Sequence, residues 1–91
     1  MSVRVVIPTA LRRHTSGAKE IVCPPGNLPQ VVGLIGQQFP ELAHHICDEQ
    51  GNLRRFLNVY VNDEDIRFLG GNSYRLQDGD ELLLIPSIAG G

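Results

Sequence analysis

Leu82-Leu83-Leu84-Ile85-Pro86-Ser87-Ile88-Ala89-Gly90-Gly91 is the stretch from which the fold is read: four aliphatic residues in succession, a proline, then Ser87, Ile88 and Ala89 down to two glycines. The apolar run follows the turn signal Asp78-Gly79-Asp80 and reads as a strand. Its facing is open, because Leu82 and Leu84 serve as core residues no better than Leu83 and Ile85. Beyond Pro86 the chain loses the means to pack. Glycine has no Cβ, so two in succession let the backbone enter a channel too narrow for any other residue. Ser87 to Gly91 reach at most roughly 17 Å when fully extended, enough to place a terminal carboxylate inside another protein's active site. The chain therefore divides into a domain over residues 1–86 and a flexible tail over 87–91, with Gly91 as candidate reactive group and Ile88, Ala89 and Gly90 as the thread behind it. A frayed, inert end is the plain alternative.

Working outward from that strand, Arg55 to Asn62 has the clearest period-two pattern. Leu57, Val59 and Val61 take one face, and Phe56, Asn58, Tyr60 and Asn62 the other. Val3, Val5 and Ile7 alternate with Arg4 and Val6 in a first strand closed by Pro8. After a polar loop around His14-Thr15-Ser16-Gly17, Ala18 to Cys23 reads as its hairpin partner, stopped by Pro24-Pro25-Gly26. Asn27 is a helix N-cap with Pro29 in the first turn, and Leu28, Val32, Ile35 and Phe39 form one apolar stripe. Gly33 and Gly36 weaken that helix, so it depends on packing against a sheet. Pro40 ends it, and Leu42 and Ile46 continue a shorter helical stretch between Glu41 and Gln50. Asn62 to Asp65 is a turn, Ile66 to Phe68 a short strand, and Gly70-Gly71-Asn72 a loop that needs positive φ.

The order strand, strand, helix, strand, short strand, strand has few compact solutions. With the first and last strands central and parallel, it gives an α+β β-grasp: a mixed sheet of four to five strands with one main covering helix. Phe56 and Tyr60, with Leu83 and Ile85 from the last strand, then form a candidate docking patch on the uncovered sheet face beside the tail.

Composition narrows the function. Ninety-one residues make a single small domain with little room for a deep catalytic pocket. A net charge of −2 offers no electrostatic case for nucleic acid. No stretch approaches the ~18 apolar residues of a membrane span, and the N-terminal run carries Arg4 and no small-residue cleavage pattern, so a cytoplasmic protein is expected. Cys23 and Cys47 read as reduced thiols. His44-His45 with Cys47 suggests zinc, but adjacent histidines on a helix point about 100° apart and the spacing lacks a four-ligand pattern, so no metal is expected. The acidic groups Asp63-Glu64-Asp65 and Asp78-Asp80-Glu81 coincide with turns and lack the calcium-loop pattern. No nucleophile elbow, phosphate-binding loop or dinucleotide fingerprint occurs, so the chain is read as no enzyme.

Arg55-Phe56, Asn58, Tyr60-Val61-Asn62-Asp63-Glu64-Asp65, Arg67-Phe68, Gly70-Gly71 and Ala89-Gly90-Gly91, with a smaller contribution from Ile7-Pro8-Thr9, resemble the ubiquitin-like sulfur-carrier proteins, the family of the thiamin and molybdopterin carriers. The resemblance spans essentially the whole chain and is nearest to the carrier of a thiocarboxylate-dependent route to cysteine. The terminal Gly-Gly is common to the superfamily and to ubiquitin. The Asn62 to Phe68 stretch is narrower, and reads as a structural turn.

The resemblance implies a β-grasp and assigns the chemistry to Gly91. A ubiquitin-activating-type adenylyltransferase and sulfurtransferase, using ATP and magnesium, would form a Gly91 acyl-adenylate, and a sulfur donor would displace AMP to leave a thiocarboxylate. A cysteine-synthase-like partner carrying pyridoxal phosphate would present an aminoacrylate to that sulfur. Acyl shift from sulfur to nitrogen, then cleavage by a metal-dependent protease, would release cysteine and regenerate Gly91. The chain itself binds no cofactor in this scheme and is expected as a monomer. The alternatives are a molybdopterin or thiamin sulfur carrier, a protein modifier joined to lysine through Gly91, and an interaction module with an inert tail.

Overall fold

The computed structural model describes residues 1–50, 52–55 and 57–86. Phe56 of the docking patch, and Ile88, Ala89, Gly90 and Gly91 of the tail, lie outside the described residues. The strands are β1 (Val3–Val6), β2 (Glu20–Cys23), β3 (Gly26–Asn27), β4 (Leu57–Val61), β5 (Glu64–Asp65), β6 (Arg75–Leu76) and β7 (Glu81–Pro86), with helices α1 (Leu28–Gln38) and α2 (Pro40–Ile46). A mixed five-stranded sheet runs β2-β1-β7-β4-β5, and β3 pairs with β6 in a second, two-stranded sheet. The first and last strands are central and parallel, with Val5 opposite Leu82 and Val6 opposite Leu83. This is the expected β-grasp.

The helices cover one face of the sheet. Leu28, Val31, Val32 and Ile35 of α1 are buried with Leu42 and Ile46 of α2 against Val3, Val5, Val59, Val61, Leu82 and Leu84. α1 begins where its capping chemistry dictates. The Asn27 side chain accepts the Gln30 N–H at 2.9 Å, and the Gln30 side chain accepts the Asn27 N–H at 2.9 Å, so two otherwise unpaired donors are satisfied. Phe39 is only partly buried against the core. Pro40 ends α1 and also opens α2, since a proline in a first turn loses no helical hydrogen bond.

Several local features differ from what the residue pattern predicts. The region read as a polar loop is a 3-10 turn, Thr9–Thr15, with Leu11, His14 and Thr15 buried. Thr15 Oγ1 lies 3.1 Å from the Arg12 carbonyl and 2.9 Å from the Ala18 carbonyl, and these local bonds replace the longer strand read from Ala18. Ile66–Leu69 is also a 3-10 turn rather than a strand, because the Asp65 side chain accepts the Arg67 N–H and caps it. The edge strand is the two-residue β5 before it. Gly71–Ser73 forms a further 3-10 turn, and Gly70 at φ 105° and Gly71 at φ 59° supply the positive φ expected there. Finally, the two-residue pairing of β3 with β6 carries no pattern that two residues could display.

His45 has a packing role. Its ring stacks on that of His14 with centroids 3.8 Å apart, and His14 Nδ1 lies 3.1 Å from Glu41 Oε1. These contacts pin the Thr9–Thr15 turn onto α2. No group of three or more His, Cys, Asp or Glu among the described residues is placed to hold a metal ion.

The two helical glycines differ in what a side chain would meet. A Cβ at Gly33 has no atom within 4 Å, whereas one at Gly36 would lie 3.2 Å from Ala43 Cβ, where α1 packs on α2. Gly33→Ala is expected to raise unfolding stability by roughly 0.5–1 kcal/mol. Gly36→Ala gains less or loses, and urea denaturation of the two variants checks the ordering.

Candidate functional site

The site is the uncovered face of the sheet at the end where β7 releases the tail. Period-two alternation sends Leu82 and Leu84 into the core at 0% exposure and turns Leu83 and Ile85 outward, Ile85 at 37%. The facing that sequence left open is thereby settled. Strand register then builds a row across the open face: Val6 opposite Leu83, Leu83 opposite Tyr60, and Tyr60 opposite Asp65. One step toward the tail, Ile85 is opposite Asn58, and Pro86 is opposite Leu57 at the start of β4. Tyr60, Leu83 and Ile85, three residues of the predicted patch, therefore share one face.

Val6 is the residue that sequence reasoning missed. Its outward parity was legible, but only the parallel pairing of β1 with β7 brings it beside Leu83. Two sets of charges border the apolar row. Arg4 lies 3.5 Å from Glu20 and 3.2 Å from Glu81 across three strands. On the other side Arg67 reaches Asp65 at 2.7 Å. Hydrogen bonds from the Arg67 side chain and N–H hold the Asp65 carboxyl below its ordinary range. Arg67 is exposed while the Asp65 side chain is largely covered, and an ion pair with one partner in solvent contributes little to stability.

The Asn62 to Asp65 motif is structural, as the turn reading expected. Asn62 and Asp63 take positive φ of 50° and 70°. The Asn62 side chain donates to Asp80 at 2.9 Å and accepts the Glu81 N–H at 3.0 Å, tying the end of β4 to the start of β7. Asp80 also accepts the Tyr74 hydroxyl at 3.1 Å and the Gln77 N–H at 2.8 Å.

Elsewhere the surface offers little chemistry. A concavity of about 490 Å³ lies between α1 and α2 and includes Gly33, Gly36, Ala43 and Cys47. Burial raises the pKa of Cys47, and of the buried Cys23, so neither thiol is activated. Both cysteines are free. No helix among the described residues is long and apolar enough to cross a membrane.

A family model described as the ThiS family matches residues 5–91 of the chain. Sulfur carrier protein CysO of Mycobacterium tuberculosis is 40% identical over 93 residues, covering 100% of both chains. A chain in the crystal structure of the Amycolatopsis orientalis BexX/CysO complex superposes with a TM-score of 0.84 at 39% identity, covering 98% of this chain and 99% of that one. Small archaeal modifier protein 1 of Methanosarcina acetivorans superposes with a TM-score of 0.85 at 27% identity, covering 99% and 96%.

The Asp80 clamp has a pH signature. Partial burial pushes its pKa up, but the hydrogen bonds from Gln77, Asn62 and Tyr74 outweigh that and hold it below the ordinary carboxylate range. A carboxylate depressed in the folded state stabilises fully above its unfolded pKa of roughly 3.9 and loses that contribution as pH falls through the folded value. Asp80→Asn is expected to cost about 1–3 kcal/mol at neutral pH. Its stability should fall less than the wild type's on acidification below about pH 4, measured by urea unfolding across pH.

Proposed function

The chain belongs to the ThiS family, and from that membership we propose that the Gly91 carboxylate is the group that receives, holds and surrenders sulfur. The protein is a ubiquitin-like sulfur carrier that works in cysteine biosynthesis, and it is not itself an enzyme. The observation that carries the site assignment is a Gly-Gly end attached to β7, the strand that also supplies Leu83 and Ile85 to the open apolar face.

A carboxylate with a reference pKa of roughly 3.3–3.7 is ionised at neutral pH and is a poor acyl donor. A ubiquitin-activating-type partner removes that obstacle. A Gly91 oxygen attacks the α-phosphorus of ATP, with magnesium neutralising the phosphates, and pyrophosphate leaves. Sulfur delivered by the donor at the sulfide level (HS⁻) then adds at the Gly91 carbonyl carbon, AMP departs as the carbon–oxygen bond to it breaks, and loss of the S–H proton leaves the thiocarboxylate on this chain with no change of oxidation state. That sulfur bonds to the electrophilic carbon of a three-carbon amino acid fragment held by a cysteine-synthase-like partner, whose pyridoxal phosphate supplies the electron sink. Transfer of the Gly91 acyl group from sulfur to the neighbouring amine gives an amide, and hydrolysis by a metal-dependent protease frees cysteine and the original carboxylate.

The chain's own residues present and dock. Gly90 and Gly91 pass the narrowest part of a partner channel, and Ala89 and Ile88 follow without charge or large bulk. Phe56, Tyr60, Leu83 and Ile85, with Val6, meet the partner's surface. The cytoplasm is the compartment that suits free thiols and this chemistry. Removal of Gly91 is expected to abolish thiocarboxylate formation while leaving the melting curve within about 0.5 kcal/mol of wild type; intact-mass measurement after incubation with ATP and the activating partner reads the exchange of one oxygen for sulfur. Ile85→Asp is expected to weaken partner affinity by at least about ten-fold, a loss of about 1.4 kcal/mol, with little change in stability, as measured by titration calorimetry.

A second reading, protein modification, is supported by the likeness to small archaeal modifier protein 1 of Methanosarcina acetivorans. Lysine peptides branched with this C-terminus, found by mass spectrometry of cell extracts, would establish it beside or in place of the carrier role.

A further inference from the structure

The topology sorts charge along the strand axis. β1 and β7 run parallel toward the tail end, so the connection after β1 lies there, and β4 starts there because Leu57 is opposite Pro86. The first connection carries Arg12, Arg13 and Lys19, and the segment before β4 carries Arg54 and Arg55, five of the eight Lys and Arg in the chain. Contacts hold both segments in place. Arg12 Nε donates to the Ile7 carbonyl at 3.0 Å, the Ile7 N–H donates to the Lys19 carbonyl at 2.9 Å, and the Arg54 N–H donates to the Ile46 carbonyl at 2.9 Å. Arg13, Lys19, Arg54 and Arg55 are exposed.

The opposite end is acidic. It collects Asp63, Glu64, Asp65, Asp78, Asp80 and Glu81, six of the ten Asp and Glu, around the Asn62 clamp and the turn that enters β7. The tail end also holds four carboxylates, Glu20, Glu41, Asp48 and Glu49, of which Glu20 pairs with Arg4 at 3.5 Å, Glu41 lies 3.1 Å from His14 and Asp48 accepts the Gln50 and Asn52 N–H groups at 2.9 and 3.0 Å. Five cations against four carboxylates leave this end the more positive, since Arg4, Arg67 and Arg75 face six carboxylates at the other. The chain as a whole carries −2, so cations at this end are not a consequence of a basic composition.

We propose that the cations flanking the tail root form a collar that docks on an acidic rim around the channel receiving the tail. This deepens the carrier reading by stating the partner's chemistry. A negatively charged rim attracts the collar and repels the far end, so the carrier approaches tail first before the apolar row makes contact. The collar and the apolar row act at different stages, the first on encounter rate and the second on the lifetime of the complex.

The test uses the intact chain, Arg13→Glu and Arg55→Glu combined, and Arg75→Glu in β6 as a charge reversal outside the collar. Stopped-flow association with the activating partner is measured at about 20 mM and about 300 mM salt, spanning Debye lengths of roughly 20 to 6 Å. The double variant is expected to associate at least ten-fold more slowly at low salt, with most of the difference gone at high salt, while Arg75→Glu stays within about two-fold. A double variant no slower than Arg75→Glu, or slowed equally at both salts, overturns the collar. In parallel, a short poly-L-glutamate peptide is titrated into isotopically labelled chain at low salt. Amide shifts confined to residues 12–19 and 54–55 support the collar, and shifts centred on Arg67 and Arg75 overturn it. A wild-type chain that no activating partner adenylates sinks the carrier reading instead, and the peptide titration still decides the collar on its own.

Discussion

The parallel pairing of β1 with β7 in the middle of the sheet is the contact on which the rest depends. It makes the last strand internal, flanked by β1 along Glu81 to Leu83 and by β4 along Leu82 to Pro86, so its backbone is paired on both edges where the two overlap. Side-chain alternation then has only one solution: Leu82 and Leu84 enter the core, and Leu83 and Ile85 face outward. A slip of one residue would exchange them, burying the outward pair and exposing the core pair. Fold stability and the proposed docking surface are therefore written into alternate residues of one six-residue strand. The same strand ends at Pro86, so the point from which residues 87–91 continue is held in a constant relation to that outward face.

How much of this was legible in the sequence depended on whether the signal was periodic. The alternation of Leu57, Val59 and Val61, and the Asn27 cap followed by an apolar stripe, identified β4 and α1 because each repeats over several residues. Leu82 to Ile85 gave no such information, since four apolar residues satisfy either facing, and only pairing with both neighbours decides between them. The 3-10 turns at Thr9–Thr15 and Ile66–Leu69 were not recognised because single local bonds specify them, from Thr15 to backbone carbonyls and from Arg67 to Asp65. His14, buried within a stretch that reads as polar, owes its place to His45 and Glu41, more than twenty residues away. Val6 was missed at the site for a related reason: its neighbour is set by sheet order.

The Tyr60 to Asp65 motif separates sequence specificity from chemistry. It carries much of the resemblance to the sulfur carriers, yet Asn62 and Asp63 sit in positive-φ conformations, and the Asn62 side chain is used up on Asp80 and Glu81. Asparagine and aspartate tolerate that conformation better than most residues, and the amide of Asn62 both donates and accepts in one clamp. The motif holds β4 and β7 in register at the end away from the tail. Its contribution to function is indirect, because an error of register there would travel along β7 and displace Leu83, Ile85 and the tail root together.

Separating the reactive end from the folded body also explains what the body lacks. A domain of this size has little room for a deep catalytic pocket beside its core, and a concavity between the two helices holds a thiol made less reactive by burial. Chemistry at Gly91 needs nothing from the body beyond position. In the proposed scheme, the ATP-dependent step, the sulfur donor and the acceptor belong to proteins that receive the tail in turn, and that scheme requires each to bind the same face and release it. A single large, strongly apolar interface would oppose that exchange. The proposed docking row of Val6, Leu83, Tyr60 and Ile85 is short and edged by the ion pairs of Arg4 and Arg67, and a small, partly polar contact of that kind is the type that exchanges between successive partners.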